Sequence, residues 1–130
     1  MSSSEETAAL AKRFFDAVEA GDIDTVYNSY APDAKVWHNT DGLEQSRDDN
    51  AAVLRDFARR IPGRTYADRR LHVFEGGFVH QHTLKGVRAD GGHVSLTACI
   101  VCKVENGRIT RLDEYFDSAE VEAFRRPASA

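Results

Sequence analysis

Three histidines are the residues of this chain best suited to chemistry. His38 sits in Ala34-Lys35-Val36-Trp37-His38-Asn39, and His80 and His82 sit in Phe78-Val79-His80-Gln81-His82. An imidazole titrates near neutrality, so it can act as a base at physiological pH with less environmental tuning than an aspartate needs. Positions two apart on a strand point the same way, which puts both rings of His-x-His on one face together with Phe78 and Leu84. The other face carries Gln81, Thr83 and Lys85, a wet set apart from Val79, so the histidines fall with the apolar residues. Imidazoles gathered at one apolar surface point to acid/base chemistry. The structural alternative is a solvated His-x-His face on an antiparallel sheet.

The elements that must carry these residues can be read from periodicity. Leu10, Phe14, Ala17 and Val18 recur at helical spacing, and Gly21 follows where such a helix stops, which predicts a helix over 5–20. Asp22 is placed to cap a second, short helix in which Ile23, Val26, Tyr27 and Tyr30 form one stripe before Pro32 ends it. A short strand over 34–38 then sends Trp37 and His38 to opposite faces. Ser46, with Asp49 three residues on, resembles a capping box, and Ala51, Leu54, Phe57, Ala58 and Ile61 give a third amphipathic helix stopped by Pro62-Gly63.

Beyond that point the period is two. Segments 66–75, 78–88, 93–105 and 108–116 are separated by Gly76-Gly77, Asp90-Gly91-Gly92 and Asn106-Gly107, which are hairpin connections, so the four predict an antiparallel meander. A last short helix, capped by Ser118, runs to about Arg125. In the third long strand Val94, Leu96, Ala98 and Ile100 alternate with Ser95, Thr97, Cys99 and Val101, and neither set is wet. One face is expected on the helices around a cavity and the other against a second sheet, most simply another subunit's, which predicts a homodimer.

With 130 residues the chain has the size of one domain, and residues 1–130 are read as such, with 1–5 and 126–130 as frayed ends. Net charge is −4, from 17 basic and 21 acidic residues, and the one basic cluster, Arg59, Arg60, Arg64, Arg69 and Arg70, reads as a solvated helix terminus and not as a nucleic-acid patch. Cys99 and Cys102 are spelled C-x-x-C. A redox pair of this kind needs a helix N-terminus, whereas these lie mid-strand with side chains on opposite faces, so both read as buried apolar residues of a reducing compartment. The N-terminus lacks the basic start and apolar run of a signal peptide, and no stretch is long enough to span a bilayer. A soluble cytoplasmic protein without membrane partners is expected.

Phe14-Phe15 with Glu19-Ala20-Gly21-Asp22-Ile23, Tyr30-Ala31-Pro32-Asp33-Ala34-Lys35-Val36, Glu105-Asn106-Gly107-Arg108-Ile109 and Glu114-Tyr115-Phe116-Asp117 together resemble the nuclear transport factor 2-like superfamily, in its ketosteroid isomerase and SnoaL-like branch. The resemblance implies an α+β fold: a curved antiparallel sheet wrapped around three N-terminal helices, forming a cone with one deep apolar pocket. It places His38 where ketosteroid isomerases hold their carboxylate base. It also turns His80, His82, Leu84, Thr97, Cys99, Leu112, Glu114 and Phe116 inward, with Phe14, Tyr30, Leu54 and Phe57 as further substrate-binding positions.

Where those isomerases build an oxyanion hole from a tyrosine and a protonated acid, this chain has Phe14 and Cys99; another inner tyrosine is Leu54, while Tyr30 is retained. Steroid isomerisation by that scheme is therefore not expected. Scytalone dehydratase, a relative in the superfamily, is similar in using histidines and a carboxylate without a cofactor.

These readings converge on a cofactor-independent lyase, dehydratase or isomerase for a small apolar or aromatic oxygenated substrate. His38 is the base, His80 and His82 donate hydrogen bonds to the oxygen that gains charge, and Glu114 orients an imidazole or holds a proton. A one-residue slip in the last strand would replace Glu114 by Asp113, leaving an Arg111–Asp113 pair on the surface. Asp41 is expected in turn chemistry, within possible reach of the pocket mouth. Two alternatives stay open: a metal-dependent enzyme using His38, His80 and His82, and a protein that only binds a hydrophobic small molecule.

Overall fold

The computed structural model describes residues 3–125. Helix α1 spans Ser3–Ala20 and buries Leu10, Ala11, Phe14, Phe15, Ala17 and Val18. Residues 3–5 thus belong to the helix, while 1–2 and 126–130 lie outside the described residues. Gly21 ends α1 at φ +76°, and a Cβ there would come within 2.9 Å of the Arg64 guanidinium.

That guanidinium, on a residue only 8% exposed, donates to the carbonyls of Val18 at 3.1 Å and Ile61 at 3.2 Å. One cation therefore satisfies the open carbonyls at the ends of α1 and α3 together. Arg69 pairs with Asp16 and Glu19, and Arg59 and Arg60 pair with Asp56 at the exposed end of α3, so most of the basic cluster is matched by neighbouring carboxylates.

Helix α2 (Ile23–Ser29) is capped by Asp22, whose carboxylate accepts from the Thr25 amide at 3.3 Å. It ends one residue earlier than its stripe predicts: Tyr30 opens strand β1 (Tyr30–His38), and Pro32 lies inside that strand. The proline is tolerated because pairing with the neighbouring strand is irregular between Tyr30 and Lys35, so its missing N–H breaks no ladder. A two-residue strand, β2 (Glu44–Gln45), has no sequence signal and pairs with Val36 and Trp37.

Helix α3 (Arg47–Arg60) starts at Ser46, whose hydroxyl accepts from the Asp49 amide at 3.1 Å. Strands β3 (Thr65–Phe74), β4 (Gly77–Val87), β5 (His93–Glu105) and β6 (Arg108–Phe116) follow, then α4 (Ser118–Arg125). The cap of α4 is Asp117, not Ser118: its carboxylate takes the Ala119 amide at 2.7 Å. Asn106 and Gly107 both adopt positive φ, as a tight hairpin turn requires.

The six strands form one sheet in the order β2-β1-β6-β5-β4-β3. The meander of β3 to β6 is antiparallel, and β1 joins its last strand in parallel. The inner face packs on α1 through Val36, Phe78, Ile100, Cys102 and Leu112, and a second core beyond it gathers Ile61, Leu84, Leu96, Val121 and Phe124.

Register decides which side chains reach the interior. His80 faces Ile100 and His82 faces Ala98 across β4 and β5, so Ile100 and Ala98 share the inner face with the histidines. Thr97 and Cys99 are consequently on the outer face, beside Tyr115, and neither belongs to the pocket as the resemblance implied. Trp37 packs edge-on to Tyr115 on that outer face. Among the described residues no helix is long and apolar enough to cross a membrane.

Candidate active site

Parallel pairing of β1 with β6 sets His38 directly beside Glu114. The imidazole Nε2 lies 3.2 Å from Oε1 of Glu114, and the two side chains are 16% and 17% exposed. Glu114 rather than Asp113 faces inward because β6 carries an extra residue: Val104 pairs with Ile109 and Lys103 with Arg111, leaving Thr110 as a bulge that inverts the parity. Asp113 accordingly lies on the outer face with Arg111, which also pairs with Glu44. The His38 ring stacks against Phe116 with centroids 5.7 Å apart. A carboxylate accepting from Nε2 fixes the tautomer and orientation of the ring and stabilises the imidazolium it becomes on taking a proton.

His80 and His82 both point inward and each is 4% exposed. Their Nδ1 atoms are 3.1 Å apart. His80 lies flat against Phe15, centroids 3.7 Å apart and planes within 9°, and lines no part of the cavity described below. His80 thus stands apart from the lining residues, in contact with the His82 ring. Desolvation, the neighbouring His82 and the Arg69 guanidinium push the His80 pKa down to about 3. Desolvation also lowers that of His82, partly offset by the negative charge of Glu114.

Two neighbouring chambers share His38, Val53, Leu54, Tyr66 and Glu114 in their walls. The inner one, about 80 Å³, is walled by Phe14, Tyr30 and Leu112 and reached by His82. The outer, about 190 Å³, is walled by Phe57, Leu84 and Phe116 with Val121 and Phe124 of α4. Asp41 reaches the outer mouth while its carboxylate accepts from the Leu43 amide in a local turn.

Tyr66, Asn50 and Gln45 are lining residues that sequence reasoning missed. Tyr66 turns inward because β3 bulges between Ala67 and Arg70, so parity counted from Leu71 gives the wrong face. Burial, reinforced by the Glu114 charge, holds its hydroxyl strongly protonated. Asn50, buried on α3, accepts from the Tyr30 hydroxyl at 3.3 Å and donates to Gln45 at 3.4 Å. An asparagine on the apolar stripe side of an otherwise charged helix start is the signal that could have found it.

Cys99 and Cys102 are free thiols on opposite faces; Cys102 is fully buried and Cys99 is half-buried. Among the described residues no three His, Cys, Asp or Glu side chains are grouped so as to hold a metal ion, so His38, His80 and His82 do not assemble into the ligand set of the metal alternative.

A cone of mixed α+β structure holding ionisable groups in an apolar interior defines the class, and sequence comparison supplies the family. Residues 11–112 match the SnoaL-like domain, and the chain belongs to that family. It is similar in fold to a putative polyketide cyclase from Xanthomonas campestris pv. campestris (19% identity, TM-score 0.84, covering 96% of this chain and 100% of that one). It is also similar to an NTF2-like protein from Burkholderia pseudomallei K96243 (21%, 0.80, 95% and 98%) and to an M. tuberculosis LEH-like epoxide hydrolase (22%, 0.78, 95% and 91%). No curated protein sequence matches the chain.

Proposed function

We propose that this protein is a cofactor-independent acid/base enzyme of the lyase, dehydratase, isomerase or cyclase kind, acting on a small, largely apolar or aromatic, oxygenated molecule. The observation that carries the reading is the His38–Glu114 pair at 3.2 Å, set at the junction of two apolar chambers. Ionisable groups in such a place cost stability unless they are paired, and here the pairing is one that makes an imidazole a better base.

In the proposed step His38 takes a proton from carbon or hydroxyl of the substrate and becomes an imidazolium facing the Glu114 carboxylate. The electron pair left behind moves onto the neighbouring carbonyl or phenolic oxygen, which accepts a hydrogen bond from His82 and, in reach of the same space, from Tyr66. His38 then returns the proton to another atom, or to a leaving hydroxyl. The polyketide cyclase and epoxide hydrolase among the structural neighbours are compatible with chemistry of this type, at a level that fold alone supports.

The test uses 5-nitrobenzisoxazole, an apolar aromatic carbon acid whose deprotonation opens the ring to a coloured phenolate. Turnover by the wild-type chain should fall by about 10²-fold or more in His38→Ala, the usual worth of a positioned base. In Glu114→Gln, where the carboxylate that orients the ring and faces its positive charge is lost, it should fall roughly tenfold. A wild-type rate no greater than that of His38→Ala would turn the reading towards a binding protein for hydrophobic metabolites. That second reading is favoured by one observation, the polar chain Tyr30–Asn50–Gln45 at the cavity wall, which offers recognition without a base.

A further inference from the structure

His80 is a buried ionisable group that the proposed step does not use, although its ring is the most tightly held of the three. It lies flat on Phe15 at 3.7 Å, and its Nδ1 meets Nδ1 of His82 at 3.1 Å. Two ring nitrogens at that distance share one proton, so the tautomers of the two residues are tied together. If His80 donates, His82 must present Nε2–H on the far side of its ring; if His82 donates, its Nε2 is a bare acceptor and His80 must carry its own proton on Nε2.

The surroundings separate these arrangements. His82 reaches the inner chamber, where Glu114 also stands, and a carboxylate charge favours the tautomer that turns an N–H towards it. The second arrangement would put the His80 proton on Nε2, for which no acceptor stands in hydrogen-bond reach among the described residues, whereas the first leaves only an under-used acceptor there. Both rings are held neutral by burial, and the nearby Arg69 cation opposes protonation of either.

We infer that His80 is a positioning residue: by donating Nδ1–H to His82 it fixes His82 as the Nε2–H tautomer, so that the inner chamber is supplied with a hydrogen-bond donor for an oxygen-bearing substrate. This rests on the role for His82 proposed above, yet its test needs no turnover. Phe15 holds the donor ring in plane, and the strand places the two residues on one face, so the arrangement is preformed and costs no reorganisation when a ligand arrives.

The experiment is nitrogen NMR of the histidine rings in uniformly labelled protein at pH 7.5, recorded for the wild-type chain and for His80→Phe, whose ring can keep the stack on Phe15 but cannot donate. In the wild type, Nε2 of His82 should resonate as a protonated nitrogen and Nδ1 as an unprotonated, hydrogen-bonded one; in His80→Phe the two His82 nitrogens should move towards averaged values as both tautomers become populated. A wild-type His82 that carries its proton on Nδ1 overturns the inference even if His80→Phe does not fold. So does a His82 tautomer unchanged in a folded His80→Phe. If the tautomer is as inferred while His38→Ala leaves turnover of 5-nitrobenzisoxazole untouched, the catalytic reading fails and the positioning of His82 stands.

Discussion

At the scale of single residues, the two inner histidines make acid the weak side of this protein. A group whose folded pKa is pushed below its ordinary value of about 6.5 binds protons better once unfolded, so stability is full above that value and is lost as pH falls through the interval down to about 3 for His80. Unfolding free energy from urea titrations should be level between pH 8 and 7, then decline below 6.5 with a slope approaching about 1.4 kcal/mol per pH unit for one such imidazole. His80→Gln should flatten that decline even if it lowers the plateau. A wild-type curve level down to pH 5 would show that the imidazoles accept protons in the folded state.

Secondary-structure elements show what was and was not legible in the sequence. Alternation over β4 gave the inward face of His80 and His82, and turn glycines gave the strand breaks. Parity could not be carried across strands, because the bulges at Thr110 and between Ala67 and Arg70 leave no mark in composition. Thr97 and Cys99 were sent to the wrong face by the family resemblance and not by a bulge, since β4 and β5 pair without a break and the apolar positions Leu96, Ala98 and Ile100 alternate with them in plain view. Glu114 was placed inward by family resemblance, not by counting.

The packing role of Arg64 was hidden as well, since a cation that joins two helix ends reads in sequence as part of a charge run. Arg64→Ala leaves carbonyls of α1 and α3 unsatisfied and should cost roughly 2–4 kcal/mol in urea unfolding, on the scale of lost hydrogen bonds to a charged donor. Arg64→Lys, which keeps the charge but loses the fork, should recover only part of it. A cost under about 0.5 kcal/mol for Arg64→Ala would mean that water replaces those bonds.

For the molecule as a whole, the sheet separates an apolar inner face from an outer one, and the two thiols report on each. Cys102 is sealed inside and burial pushes its pKa well up, whereas Cys99 lies outside near Tyr115, which is 45% exposed. Ellman's reagent should therefore label Cys99 in the native protein and Cys102 only at the rate of unfolding. Protection of both thiols would be the result expected if a second copy covers the outer face, as the two-sided apolar pattern of β5 predicts from sequence.

The central claim is that His38, oriented by Glu114, faces a substrate inside the cone with His82 on its oxygen. A crystal structure with bound 2-cyano-4-nitrophenol, the product of the 5-nitrobenzisoxazole reaction, tests it most directly. The account predicts the ring between the two chambers, its phenolic oxygen within hydrogen-bond distance of His82 or Tyr66 and His38 in contact with the ligand. A phenol seated with full occupancy away from His38, or on the outer face of the sheet, would contradict it.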